Sequence, residues 1–119
     1  YNVHYAYHHI VGTTGGNNSD MAEAIALMNE GRLNPAAMIT HIGGLDCVID
    51  TTLNLPNIPG GKKLIYTQIS LELTAIADFK EKGKTDPLFK HLDKIICANK
   101  GLWCKEAEEY LLKTANPIG

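Results

Sequence analysis

Apolar residues at 21, 24, 25 and 28 are spaced 0, 3, 4 and 7, which lines one face of an α-helix. Asn18 or Ser19 can cap this helix over residues 20–30, and Gly31 supplies a left-handed stop. The same pattern returns with Leu45, Val48, Ile49 and Leu53, predicting a second helix over residues 45–54. Leu73, Ile76 and Ala77 predict a third, running from Ser70 to Lys82-Gly83. Asp86-Pro87 is a cap followed by a first-turn proline, and Leu88, Leu92, Ile95 and Ile96 form the stripe that leads to a stop at Gly101. Trp103, Ala107, Tyr110 and Leu111 mark a final helix, whose Glu106, Glu108 and Glu109 suit the positive end of its dipole.

Between these helices the pattern loses its helical period. Residues 7–12, MITHI at 38–42 before Gly43-Gly44, and KKLIYTQI at 62–69 are rich in β-branched and aromatic types and read as strands. Asn34-Pro35 makes a short turn, and Pro56 and Pro59 an extended connector. The sum is a mixed α/β chain of five helices and a few strands with no evident pairing order.

Composition narrows the function classes. The chain has 119 residues, a length of about one domain, with 11 Lys plus Arg against 13 Asp plus Glu. Without a basic excess a nucleic-acid partner is not expected. The apolar run LIYTQISLELTAIADF is broken by polar residues, so no membrane span is expected either. None of the three cysteines forms a CxxC pair, which points to a reducing, cytoplasmic setting. The chain opens at Tyr1-Asn2-Val3 without a methionine, as if cut from something longer.

The best local site is the turn Gly12-Thr13-Thr14-Gly15-Gly16-Asn17-Asn18-Ser19 feeding a helix, where unpaired backbone N–H groups can face an anion. Its GxxGG pattern is neither GxGxxG nor a nucleoside-triphosphate loop, which favours an ordinary tight turn over a ligand-facing loop. His4, His8, His9, His41 and His91 lack the spacing of a metal site. Cys97 and Cys104 bracket Gly101 and could lie near each other as structural thiols. Lys62-Lys63 at a strand entrance can neutralise a phosphate or simply stay solvated. Asp20 fits first-turn dipole complementation better than a catalytic base. No nucleophile–base constellation assembles by spacing.

The run HHIVGTTGGNNSDMAEAIALMNEGRLNPAAMITHIGGLDCVIDTTLNL, continued through Lys63-Leu64-Ile65-Tyr66, resembles the late section of medium-chain, zinc-type alcohol and polyol dehydrogenases. The remainder, through DPLFKHLDKIICANKGLWCKEAEEYLL, resembles the subgroup of sorbose-1-phosphate reductase-like and sugar-phosphate dehydrogenases, which carry an extra helical tail. The resemblance implies an α/β C-terminal fragment. Residues 1–33 would be the last strand and helix of the Rossmann domain, 34–69 the segment rejoining the GroES-like catalytic domain, and 70–119 a helical tail. The Gly-His-Glu, GxGxxG and Cys-Gly-x-Asp motifs of such enzymes are absent, so no catalytic or metal-binding residue is expected here. Val11, Gly12, Thr13 and Thr14 match the segment passing the nicotinamide end of the cofactor. Lys63, with Lys62 as its near alternative, matches a position where many members place an arginine toward the cofactor phosphate or ribose, although lysine lacks the bidentate fork.

The implied whole enzyme transfers hydride between NAD or NADP and a secondary alcohol, polyol or phosphorylated keto-sugar, with zinc as Lewis acid where the subgroup keeps it. Its partners would be the remainder of the parent enzyme, its small-molecule substrate and, as a homo-oligomer, further copies. The 119 residues alone are expected to be inactive. A stand-alone anion- or nucleotide-binding module and an assembly domain docking through residues 70–114 are the competing readings. Strand pairing separates them, because a self-standing domain pairs its own strands while a fragment leaves edges. Truncation should also expose apolar surface along residues 7–12 and on one side of 62–69.

Overall fold

Residues Asn18–Asn29 form helix α1, and the cap is Asn17, ahead of the predicted candidates Asn18 and Ser19. Its side chain accepts from the backbone N–H groups of Ser19 at 2.8 Å and Asp20 at 3.3 Å. The Asp20 carboxylate accepts from the Asn17 N–H at 2.7 Å, closing a reciprocal capping box. Gly31, at φ +71°, ends the helix as expected. The computed structural model describes His8, Gly12 and residues 14–119, in two compact units, Tyr1–Asn34 and Pro35–Gly119. The strand expected at 7–12 lies outside the described residues except for His8 and Gly12, neither of which is in a strand. No residue of α1 is buried, and its stripe of Met21, Ile25 and Met28 is exposed.

The second unit is built around strand β1, Ile39–Gly44. Helix α2, Val48–Asn54, lies between β1 and strand β2, Lys62–Tyr66, and is flanked by 3-10 turns at Leu45–Cys47 and Leu55–Asn57. Strand β3, Thr74–Ala75, completes a three-stranded sheet in the order β2-β1-β3. β1 and β2 run parallel, which a helical crossover permits, and β1 and β3 antiparallel. Ile39 pairs with Lys62 but His41 with Lys63, so Thr40 is an extra residue in the ladder.

Two sequence expectations need correction. Gly43-Gly44 continue β1, where they were expected to end it, opposite Ile65 and Tyr66 of β2. A Cβ at position 44 would lie 2.3 Å from the Ile69 carbonyl oxygen and 2.4 Å from the Leu71 nitrogen, closer than any side chain allows. The backbone there donates from Gly44 to Leu71 O at 2.8 Å and from Leu45 to Ile69 O at 3.0 Å. The helix expected from Ser70 starts later for the same reason. Ser70 donates its hydroxyl to Asp46, and the Leu71 N–H reaches Asp46 Oδ1 at 3.0 Å. Residues 69–71 are thereby held extended, Thr74–Ala75 pair with β1, and a 3-10 turn at Ile76–Asp78 leads into helix α3, Phe79–Lys82. Tertiary pairing overrides the helical period.

Helix α4, Pro87–Ala98, starts at Asp86, whose carboxylate accepts from the Leu88 N–H at 2.8 Å, as predicted. Helix α5, Lys105–Thr114, follows the expected break at Gly101, which takes φ +81°. The core contains Ile42 of β1, Tyr66 of β2 and Ile69, joined by Phe79, Phe89, Leu92, Ile95, Ile96, Trp103, Ala107 and Leu111. Phe79 is fully buried, 5.4 Å from the Phe89 ring and 6.4 Å from Trp103. Residues 70–119 thus supply most of the core that covers the sheet.

Within this unit β2 and β3 each pair with β1 alone, so the sheet leaves an outer edge on both. The predicted apolar face at 62–69 is largely covered: Tyr66 and Ile69 are buried, and Leu64 and Ile65 half-buried. Exposed apolar side chains lie instead at Leu45, Ile49, Leu53 and Leu55. Gly44→Ala is expected to lower stability by about 2–3 kcal/mol in urea unfolding, because the added methyl meets backbone that cannot move aside. An unchanged midpoint would show that the contact between β1 and residues 69–71 is loose.

Candidate functional site

The Lys62-Lys63 pair enters β2 from a loop that packs tightly against β1. A Cβ at Gly61 would stand 2.4 Å from the Met38 carbonyl oxygen, and one at Gly60, which takes φ +92°, would stand 2.8 Å from Thr40 Oγ1. Lys63 turns back over this loop. Its ammonium lies 2.9 Å from the Gly61 carbonyl, 3.1 Å from Pro59, 3.3 Å from Ile58 and 3.5 Å from Gly60. Three N–H donors meeting four carbonyl oxygens make this side chain a clamp on the turn. Lys62 is exposed. Leu55, Ile58, Gly60, Gly61 and both lysines line a cleft of about 410 Å³. Apolar on one wall and cationic on the other, it suits an anionic group carried on a less polar body.

Beside the clamp, Thr40 Oγ1 and His41 Nδ1 share a hydrogen bond of 2.9 Å. Burial lowers the His41 pKa from its ordinary 6.5 and the nearby Lys63 charge lowers it further, while Asp78 acts the other way. Asp46 is held below the usual carboxylate range, first by the Ser70 hydroxyl and then by the Leu71 N–H.

The Gly-rich turn belongs to the other unit. Gly12 and Thr14 are exposed, and among the described residues a Cβ added at Gly12 or Gly15 would meet nothing within 4 Å. Val11 and Thr13 lie outside the described residues. The first N–H groups of α1 are engaged by Asn17, and the Asp20 carboxylate occupies the place where an incoming anion would be expected. His4 and His9 are likewise outside the described residues. His8 is exposed, and His91 stacks on Tyr110 with ring centroids 4.1 Å apart. No group of three or more His, Cys, Asp or Glu among the described residues is placed to hold a metal. Cys47, Cys97 and Cys104 are free thiols, with Cys97 directed toward Asp93 and Cys104 at the start of α5.

Sequence reasoning missed one polar triad, in which buried Tyr66 and Trp103 meet half-buried Glu108. Tyr66 donates to Glu108 Oε2 at 2.5 Å and accepts from Trp103 Nε1 at 2.8 Å, tying β2 to α5. Burial, followed by the hydrogen bond to the Glu108 carboxylate, pushes the Tyr66 phenol pKa well above its ordinary value. A buried Trp and Tyr signal that partners are needed, but their identity is set across 37 and 42 residues of chain.

Over 118 residues the chain is 44% identical to L-sorbose 1-phosphate reductase of Klebsiella pneumoniae, covering 99% of this chain and 27% of that protein. It is 50% identical over 113 residues to mannitol-1-phosphate 5-dehydrogenase of Aliivibrio fischeri, covering 95% of this chain and 27% of the relative. The chain is related to one part of the sugar-phosphate dehydrogenases. The protein YggP of Escherichia coli, which carries no functional name, is 62% identical over 112 residues, 94% of this chain and 26% of its own length. The chain therefore spans about a quarter of the length of the curated relatives it matches. No protein-family model and no solved structure matches it.

Lys63→Met is expected to cost about 1 kcal/mol in urea unfolding, the net worth of the lost ammonium–carbonyl bonds. An unchanged midpoint would mean that the loop does not depend on its clamp. His41 also makes stability depend on pH. With the folded pKa below the unfolded one, its contribution is complete above about pH 6.5 and is lost as pH falls through the lowered value. Unfolding midpoints measured between pH 7.5 and 5 should fall less steeply in His41→Gln than in the native chain.

Proposed function

We propose that this chain is the C-terminal part of an NAD(P)-dependent medium-chain dehydrogenase acting on a secondary alcohol, polyol or phosphorylated keto-sugar by hydride transfer. One observation carries the reading: nearly the whole chain matches proteins named as a sugar-phosphate reductase and a polyol-phosphate dehydrogenase. In the parent, residues 1–33 belong to the end of the Rossmann domain, and the following segment rejoins a GroES-like catalytic domain. The hydride chemistry and the zinc of this class belong to the rest of the polypeptide, where ligands would have to be found, since the described residues supply no metal-binding group. The parent is a homo-oligomeric, cytoplasmic enzyme of sugar metabolism.

This chain contributes to the wall of the cofactor site. Val11, Gly12, Thr13 and Thr14 pass the nicotinamide by backbone contacts. The Lys62-Lys63 pair serves the phosphate or ribose end, with Lys63 shaping the loop and Lys62, exposed at the cleft, offering its ammonium. Lysine here acts as a point charge, without the bidentate geometry an arginine would bring.

The test is a chimera in which this chain replaces the matched segment of the Aliivibrio fischeri dehydrogenase. It is expected to reduce NAD or NADP with mannitol 1-phosphate, whereas the isolated 119 residues show no turnover. Lys62→Ala in the chimera should raise the cofactor KM about tenfold, equivalent to about 1.4 kcal/mol, with kcat little changed. Turnover by the purified chain alone, or a folded but inactive chimera, would overturn the reading.

A further inference from the structure

Helix α2 buries only Thr51, whereas Ile49 is 72% and Leu53 75% exposed, one helical turn apart on the same face. Leu45 and Leu55 flank them at 44% and 51% exposure. An amphipathic helix ordinarily turns its apolar stripe toward a core, and here the stripe faces away from the only core its unit has. Beside it lies a cleft of about 270 Å³ walled by Cys47, Thr51, Ile58 and Leu73, with Asp50 and Glu72 its charged residues. From Leu33 to Gly61 the sequence contains no lysine or arginine, while Asp46 and Asp50 sit among the exposed apolar residues.

We infer that the outer face of α2 is a docking surface for the other three-quarters of the parent polypeptide, through an apolar patch with a basic rim. The inference rests on the reading of this chain as part of a larger dehydrogenase. Two observations choose this occupant. The matched relatives are about four times as long as the matched segment, so a large body of chain is available to cover the stripe. The acidic side of the stripe, at Asp46 and Asp50, calls for a basic rim on the occupant, while Lys62 and Lys63 stand beside Leu55 at its far end. The acidic side also disfavours a second copy, since a two-fold contact would bring the same Asp46 and Asp50 face to face.

The experiment compares amide hydrogen exchange of residues 48–54 in the isolated chain and in the chimera with the Aliivibrio fischeri dehydrogenase, beside sedimentation of the isolated chain. Protection of α2 is expected to rise about a hundredfold in the chimera, with the isolated chain remaining monomeric. The double substitution Ile49→Glu and Leu53→Glu should leave the melting of the isolated chain unchanged, because both side chains are already exposed there, and should abolish the added protection in the chimera. An active chimera with α2 still fast-exchanging overturns the docking inference and leaves the dehydrogenase reading standing. A chimera that is inactive with α2 unprotected overturns both. An isolated chain that dimerises, and returns to monomer on the double substitution, assigns the face to a second copy and overturns the inference.

Discussion

The fold of the larger unit turns on the absence of a side chain at Gly44. Because nothing projects there, the backbone of residues 69–71 comes close enough to exchange hydrogen bonds with residues 44 and 45. Asp46 reinforces the contact by accepting from Ser70 and Leu71. This junction sends the chain on to β3 at the free edge of β1 and fixes the direction in which α3, α4 and α5 approach the sheet. The C-terminus is secured to the same stretch, with Ser70 N donating to Asn116 O at 2.8 Å and Ile118 N to Gln68 O at 3.1 Å. A backbone contact of this kind is indifferent to hydrophobicity, so no pattern of apolar residues announces it.

Two polar arrangements then divide the labour. The Tyr66–Trp103–Glu108 triad fastens the end of β2 to α5 within the core, where unpaired polar atoms would be costly. At the other end of β2, Lys63 binds the carbonyls of residues 58–61 and keeps the loop against the extra residue Thr40. Lys62 and the cleft lie at this second end. Lys63 is committed to its own loop, while Lys62 beside it is exposed at the cleft.

Much of the helical part was legible because its signals are local. Asp86 caps α4, Gly31 and Gly101 supply left-handed stops, and the stripes of α4 and α5 face the core as their spacing requires. β3 was not legible, because Leu73, Ile76 and Ala77 satisfy a helical period and only the open edge of β1 and the Asp46 contacts select an extended chain. The stripe at Leu45, Ile49 and Leu53 was read as a helix, which the structure forms from Val48 to Asn54, but its spacing did not reveal that the face is exposed. Periodicity reports that a helix has an apolar face and is silent on what covers it. At the candidate site, the lysine pair could be found in the sequence as a charge at a strand entrance, but which of the two holds the loop could not. The order of motifs pointed to sugar-phosphate dehydrogenases, and the comparisons support that relation at the level of the family.

The sequence by itself determined the cap at Asp86, the glycine stops at Gly31 and Gly101, the α/β character and the kinship of the chain, since each depends on neighbours a few residues apart or on the order of motifs. Only the tertiary structure decided the strand order β2-β1-β3, the partners of Tyr66 and Asp46, the clamp at Lys63 and the outward face of α2. Those features depend on which distant backbones can approach one another, and at Gly44 that approach is permitted by a missing Cβ whose neighbours lie some 25 residues along the chain.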